Sequence, residues 1–164
     1  MQKVRIISSK RMENKMYTIE EFDREKSKVL KYVLYKKRSK QEVKNKFYNT
    51  IDQEMLNDII ENLEENGYID DNNYIARAIN EFKALNNLSI KEVKYKLASK
   101  GIPNSLIDDY ITNNKEEMAE YELESAKKII IKKMSNMEKD DIIIYLLKKG
   151  YMKELINEAF SEVE

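Results

Sequence analysis

The sequence predicts an all-α protein of three tandem three-helix repeats, helix-turn-helix-like in outline and joined into an elongated array. Three observations predict it. The 164 residues include only three glycines and one proline, so helix breakers are almost absent. Apolar residues recur at helical spacing in segments opened by Ser/Thr-x-x-Glu capping boxes. Matched apolar positions then return about every 50 residues, the mark of a helical repeat.

Residues 1–17 are expected to form an N-terminal arm, with the run Val4-Arg5-Ile6-Ile7 as a candidate short strand. A first capping box, Thr18-Ile-Glu-Glu21, opens a helix that carries Phe22, Val29, Leu30, Val33 and Leu34. Ser39-Lys-Gln-Glu42 opens a short middle helix with Val43 and Phe47, and Thr50-Ile-Asp-Gln53 opens a third with Leu56, Ile59, Ile60 and Leu63. Asn66-Gly67 closes the third as a left-handed cap. These elements make repeat 1, residues 18–69.

Repeat 2, residues 70–113, starts at Asp70 or Asp71 as N-cap of a helix with Tyr74, Ile75, Ala78, Ile79, Phe82 and Leu85. Its middle helix opens at Ser89-Ile-Lys-Glu92, carries Val93 and Leu97, and stops at Lys100-Gly101. Pro103 precedes a third helix with Leu106, Ile107, Tyr110 and Ile111, at a position where a first turn tolerates proline. Repeat 3, residues 114–164, starts with a long helix whose stripe is Ala119, Leu123, Ala126, Ile130 and Met134. Ser135-Asn-Met-Glu138 is expected to cap a middle helix with Ile142 and Leu146 that ends at Lys149-Gly150. A last helix carries Leu155, Ile156, Ala159, Phe160 and Val163.

The register can be checked by subtraction. Val43, Val93 and Ile142 lie 50 and 49 residues apart, as do Phe47, Leu97 and Leu146, and Leu56, Ile107 and Ile156 follow at 51 and 49. Units of this kind bury their apolar faces largely on their neighbours and work through an extended surface.

Composition narrows the chemistry. The chain has no His and no Cys, which removes disulfides, thiol nucleophiles, His-based triads and ordinary zinc sites. No stretch approaches the ~20 apolar residues of a membrane helix, and the basic N-terminus has no apolar core like that of a secretory signal. A cytoplasmic, non-enzymatic monomer without cofactor or metal is expected. The pairs Asp70-Asp71 and Asp140-Asp141 suggest caps and first-turn charges, because adjacent helical residues diverge by about 100° and do not converge on one ion.

Charge is banded with the repeat. The 30 basic and 30 acidic residues cancel overall, yet residues 1–50 hold 15 basic against 6 acidic and 51–82 hold 1 against 9. The pattern continues with 5 against 1 over 83–100, 1 against 7 over 101–126, 8 against 3 over 127–153, and 0 against 4 over 154–164. Middle helices are thus basic and third helices acidic. The bands serve either as a binding surface for an extended partner or as faces that neutralise one another within the protein. The candidate partner-binding residues are the basic side chains of the middle helices: Arg38, Lys40, Lys44, Lys46, Lys91, Lys94 and Lys100. A direct DNA-binding role for the helix-turn-helix-like units is the alternative. It is disfavoured because the helix that would enter the groove is acidic and the phosphates repel it.

The run Arg38-Ser39-Lys-Gln-Glu42-Val43-Lys-Asn-Lys46-Phe47, followed by Leu63-Glu-Glu-Asn-Gly67-Tyr68-Ile69-Asp70-Asp71-Asn-Asn-Tyr74-Ile75-Ala76, resembles the first-repeat signature of the RecX regulatory proteins. Glu92-Val93-Lys-Tyr-Lys96-Leu97-Ala-Ser-Lys100-Gly101-Ile102 is similar to the second. Ala126-Lys-Lys, then Tyr145-Leu146-Leu147-Lys-Lys149-Gly150-Tyr151 and Ile156, is similar to the third. The sequence departs from the family pattern at Leu85-Asn-Asn-Leu88, which is uncharged and lacks glycine, and at Met152-Lys-Glu after Gly150-Tyr151. The resemblance implies tandem three-helix repeats and a modulator, usually an inhibitor, of the RecA recombinase. Such a modulator lies in the groove of the RecA filament on single-stranded DNA and hinders its extension, strand exchange and ATP hydrolysis. It also implies roles in DNA repair, homologous recombination and the SOS response.

Overall fold

A computed structural model describes residues 16–164. The Val4–Ile7 run and nearly all of the expected arm lie outside the described residues. Within them every regular element is a helix: α1 Ile19–Tyr35, α2 Lys40–Phe47, α3 Gln53–Glu65, α4 Asp71–Leu85, α5 Ile90–Ser99, α6 Asn104–Asn113, α7 Lys115–Lys133, α8 Lys139–Lys149 and α9 Lys153–Val163. They divide between two compact units, Met1–Asp70 and Asp71–Glu164.

The first unit closes α1, α2 and α3 around Phe22, Val29, Val33, Val43, Leu56, Ile59, Ile60 and Leu63. Each fully buried aliphatic side chain contributes roughly 1.5–3 kcal/mol, so this cluster dominates the unit's stability. Tyr17, from the expected arm, also belongs to it: its ring stacks on Phe22 at 6.1 Å and its hydroxyl donates to Asp58. Two of the three expected capping boxes form. Thr18 Oγ1 accepts from the Glu21 amide at 3.1 Å while the Glu21 carboxylate accepts from the Thr18 amide at 2.8 Å. Ser39 and Glu42 exchange the same two bonds at 3.1 and 3.0 Å.

Two details differ from the expectation. α3 is capped by Asp52, whose Oδ1 accepts from the Glu54 and Met55 amides at 3.0 and 3.2 Å, and not by Thr50. The Thr50 hydroxyl turns back to the Phe47 carbonyl, because the chain between α2 and α3 turns there and puts the carboxylate at the helix mouth, where an anion is favoured. Leu34 is 63% exposed; Val29 and Val33 already fill the inward stripe of α1. At the other end of the unit, the Gly67 amide donates to Glu64 and the Tyr68 amide to the Leu63 carbonyl, at 2.9 and 2.8 Å. With Gly67 at φ +75°, this is a Schellman closure.

The second unit holds α4–α9 around two cores. Ile75, Ile79, Val93, Leu97, Ile102 and Ile107 form one; Ile142, Leu146, Tyr151, Ile156, Ala159 and Phe160 form the other. The long helix α7 enters both, giving Met118 and Tyr121 to the first and Ala126, Ile129 and Ile130 to the second. Its expected stripe is therefore corrected: Ala119 is exposed and Met134 is 47% exposed, because the helix serves two cores in succession instead of one continuous face. Leu85, expected on the inward stripe of α4, is 60% exposed. The cap of α8 also changes. Glu138 occupies the cap position without a side-chain bond, since Ser135 lies in the turn that follows α7; Asp140 and Asp141 supply first-turn negative charge.

Position by position, the 50-residue register holds. Val29, Ile79 and Ile130 are buried on the first helices, Val43, Val93 and Ile142 on the middle helices, and Leu56, Ile107 and Ile156 on the third helices. After the middle helices come Ile51, Ile102 and Tyr151, again all buried. The glycine stops after α5 and α8 are alike. The Gly101 and Gly150 amides donate to Ala98 and Leu147 at 2.9 and 3.0 Å, and the Ile102 and Tyr151 amides reach Leu97 and Leu146 at 3.3 and 3.1 Å.

Gly150 carries two constraints at once. Its φ is +98°, and a Cβ there would sit 2.6 Å from Lys91 Cδ and 2.8 Å from Lys91 Cβ. Gly67 has a φ of +75° and nothing within 4 Å of such a Cβ. Gly67→Ala is expected to cost about 1 kcal/mol, the backbone penalty alone, whereas Gly150→Ala costs about 2–4 kcal/mol through added overlap. Urea unfolding of the two variants checks the ranking.

Candidate interaction surface

The surface is built where the first turn of α5 meets α7 and the end of α8. Ser89 begins the joint. Its hydroxyl accepts from the Glu92 amide at 3.1 Å and donates to the Lys149 carbonyl at 2.6 Å. One capping residue thus also satisfies an orphan carbonyl at another helix's end. Glu92 is shared in the same way: one oxygen accepts from the Ser89 amide at 2.9 Å and the other from Lys149 Nζ at 2.8 Å. The Ile90 amide donates to Glu122 on α7 at 2.8 Å.

Beneath this layer Ser125 is fully buried. Its hydroxyl donates to the Leu88 carbonyl at 3.1 Å and lies 2.5 Å from the Tyr151 hydroxyl. A serine has a single proton to give, so Tyr151 donates to Ser125. Burial pushes the Tyr151 hydroxyl above the usual phenol range and Tyr121 up to about 12. Burial likewise raises the Glu122 carboxyl, with the Ile90 amide acting against it.

The expected partner-binding residues fall into several surroundings. Lys40 pairs with Glu64 at 2.8 Å and Lys94 with Asp108 at 2.7 Å. A third pair, Lys139–Glu164 at 2.5 Å, has the same middle-helix to third-helix arrangement. Part of the banded charge is therefore neutralised inside each helix triplet. Exposed pairs of this kind contribute only about 0–1 kcal/mol each. Arg38 lies with its guanidinium 4.5 Å above the Tyr32 ring. Lys44 is half-buried; Lys46 and Lys100 are exposed. Lys91 lays its stem along Gly150.

Sequence reasoning missed a different group. Two adjacent hollows of about 330 and 470 Å³ share Tyr145 and Lys149. Lys128, Lys132 and Lys133 line the first, and Lys91, Tyr95 and Lys148 the second. Lys133 Nζ stands 4.0 Å from the Tyr145 ring centroid, a cation–π distance. The excess of 8 basic over 3 acidic residues in 127–153 was the available signal. It did not show which lysines the fold gathers, because α5, α7 and α8 each contribute some. Among the described residues no group of three or more Asp or Glu is arranged to hold a metal ion. No helix of the described residues is long and apolar enough to cross a membrane.

Fold and surface together define a class: tandem three-helix-repeat proteins that present charged faces. Over most of its length the chain is similar to regulatory proteins named RecX. It is 29% identical over 139 residues to the regulatory protein RecX of Staphylococcus carnosus, covering 82% of this chain and 52% of the relative. The RecX proteins of Clostridium acetobutylicum (26% over 151 residues, 84% of this chain and 69% of the relative) and Finegoldia magna (30% over 137 residues, 80% and 63%) are also similar. The chain spans about half the length of the staphylococcal relative. No protein-family model matches it. The crystal structure of RecX from Lactobacillus salivarius superposes with a TM-score of 0.73 at 21% identity, covering 88% of this chain and 97% of that one. Another regulatory protein RecX crystal structure gives 0.74 at 22%, over 85% and 73%.

The buried hydroxyls predict an alkaline transition. Free tyrosine ionises near pH ~10, so the unfolded chain loses these protons first, and stability present below that pH is lost as it climbs through the Tyr121 value of about 12. Urea midpoints between pH 9 and 11 are expected to fall, and less so in Tyr151→Phe. At neutral pH, Ser125→Ala strands the Tyr151 proton and costs about 1–3 kcal/mol, measured by the same unfolding curves.

Proposed function

We propose that this chain is a cytoplasmic, monomeric modulator that binds the RecA filament on single-stranded DNA and inhibits its extension, strand exchange and ATPase. The observation that carries it is the likeness to regulatory RecX proteins over 80% or more of the chain. The chain acts through repeats over 18–69, 70–113 and 114–164, without a cofactor or catalytic group of its own. Its place is in DNA repair, homologous recombination and the SOS response.

Arg38, Lys40, Lys44, Lys46, Lys91, Lys94 and Lys100 meet acidic surface of the recombinase or the phosphates within the filament. Charge complementarity of this sort acts chiefly on association and register. The exposure of Lys46 and Lys100 supports their part in it, while Lys40 and Lys94 exchange an internal acidic partner for an external one.

Titrating the protein into RecA on single-stranded DNA is expected to lower ATP hydrolysis; unchanged hydrolysis at saturating protein overturns the proposal. Reversing Lys44 and Lys94 together to Glu weakens inhibition by about three- to tenfold in low salt and less in high salt. Circular dichroism of the double variant confirms that its helices persist. Sequence-selective duplex binding without RecA, read in a gel shift, would instead favour the helix-turn-helix alternative.

A further inference from the structure

We infer that the acidic stripe of α3 is an intramolecular docking face for the basic segment 1–15 of the same chain. Docking of this kind involves the first unit alone and is independent of any recombinase.

The face is built by spacing. Helix α3 carries no basic residue, and Glu54, Asp58, Glu61 and Glu65 follow one another at intervals of four, three and four, which sets them in one row along the helix. Glu54, Glu61 and Glu65 are exposed and Asp58 is half-buried. Glu64 lies on the next row and pairs with Lys40 of α2 at 2.8 Å. Asn62 flanks the stripe, four residues after Asp58. It is only 6% exposed, and its Oδ1 is buried with no hydrogen-bond partner among the described residues. A buried acceptor is costly to leave unmade, so the face calls for a hydrogen-bond donor as well as for positive charge.

The chain itself delivers both. Tyr17 is fixed on this row, its ring stacked on Phe22 at 6.1 Å and its hydroxyl donating to Asp58. Burial and the Asp58 bond, reinforced by the charges of Glu54 and Asp52, hold that hydroxyl above the usual phenol range. The segment before it carries Lys3, Arg5, Lys10, Arg11 and Lys15 against Glu13 alone. Lys10 and Arg11 stand seven and six residues ahead of Tyr17, a reach of about 20 Å. From Asp58 the row extends only ~6 Å to Glu54 and ~10 Å to Glu65. Tethered at Tyr17, the segment meets the stripe at an effective concentration on the order of millimolar, which a basic segment of a separate protein does not match. Docked, it neutralises the stripe and withholds that face from other cations.

The chain has no cysteine, so a nitroxide on Ser8→Cys gives the full chain a single paramagnetic probe. Backbone amides of Glu54–Glu65 are expected to broaden at low salt and to recover at about 1 M, where charges are screened within ~3 Å. Lys10→Glu with Arg11→Glu, and separately Glu61→Gln with Glu65→Gln, should each lower the docked-to-undocked ratio about three- to tenfold. Circular dichroism checks that the helices of both variants persist, and the salt titration of the parent needs no charge variant. Unbroadened α3 amides, broadening that survives high salt, or variants equal to the parent would each overturn the docking. Equal broadening when the nitroxide and the isotope label are carried by separate copies would assign the stripe to a second molecule and overturn it as well.

Discussion

Helix α7 is the constraint on which the second unit depends. Its first half delivers Met118 and Tyr121 to the core around Val93 and Leu97, and its second half delivers Ala126 and Ile130 to the core around Ile142 and Leu146. Each of these cores is small, and a small core stabilises a domain only marginally. One rigid helix passing through both makes the two triplets a single compact body, which is the nearest-neighbour logic of repeat proteins. The polar joint then sets the register. Ser125, Ser89, Glu92 and Lys149 each answer a backbone group or a charge that burial would otherwise strand.

That joint also shapes the surface. By tying the Lys149 carbonyl and ammonium to the start of α5, it draws the end of α8 against α5 and brings Tyr145 and Lys148 alongside Lys91 and Tyr95. The charged bands thus have two fates. Lys40, Lys94 and Lys139 are neutralised by acidic residues of the neighbouring third helices. Lys132, Lys133 and Lys148, at the ends of α7 and α8, instead line hollows that share Tyr145. A zero net charge conceals both.

Much of the fold was legible in the residues. Thr18–Glu21, Ser39–Glu42 and Ser89–Glu92 form the capping boxes that their spacing announces, since a cap is made by residues within one turn of each other. The 50-residue recurrence likewise marked Val43, Val93 and Ile142 as core. Thr50 and Ser135 misled for the same local reason: each has the right chemistry near a helix start, but the path of the intervening turn gave the cap position to Asp52 and Glu138. Ala119 and Met134 misled because a helix that serves two cores in turn does not keep one straight stripe.

Helix content, helix order, the repeat period and the banding of charge followed from the sequence by itself, because propensity, capping and hydrophobic periodicity act over a few residues. Tertiary structure alone decided that α7 belongs to two cores, that Ser89 and Lys149 meet across 60 residues, and which lysines surround Tyr145. Those contacts join side chains far apart in the chain, and nothing in their local neighbours encodes the meeting.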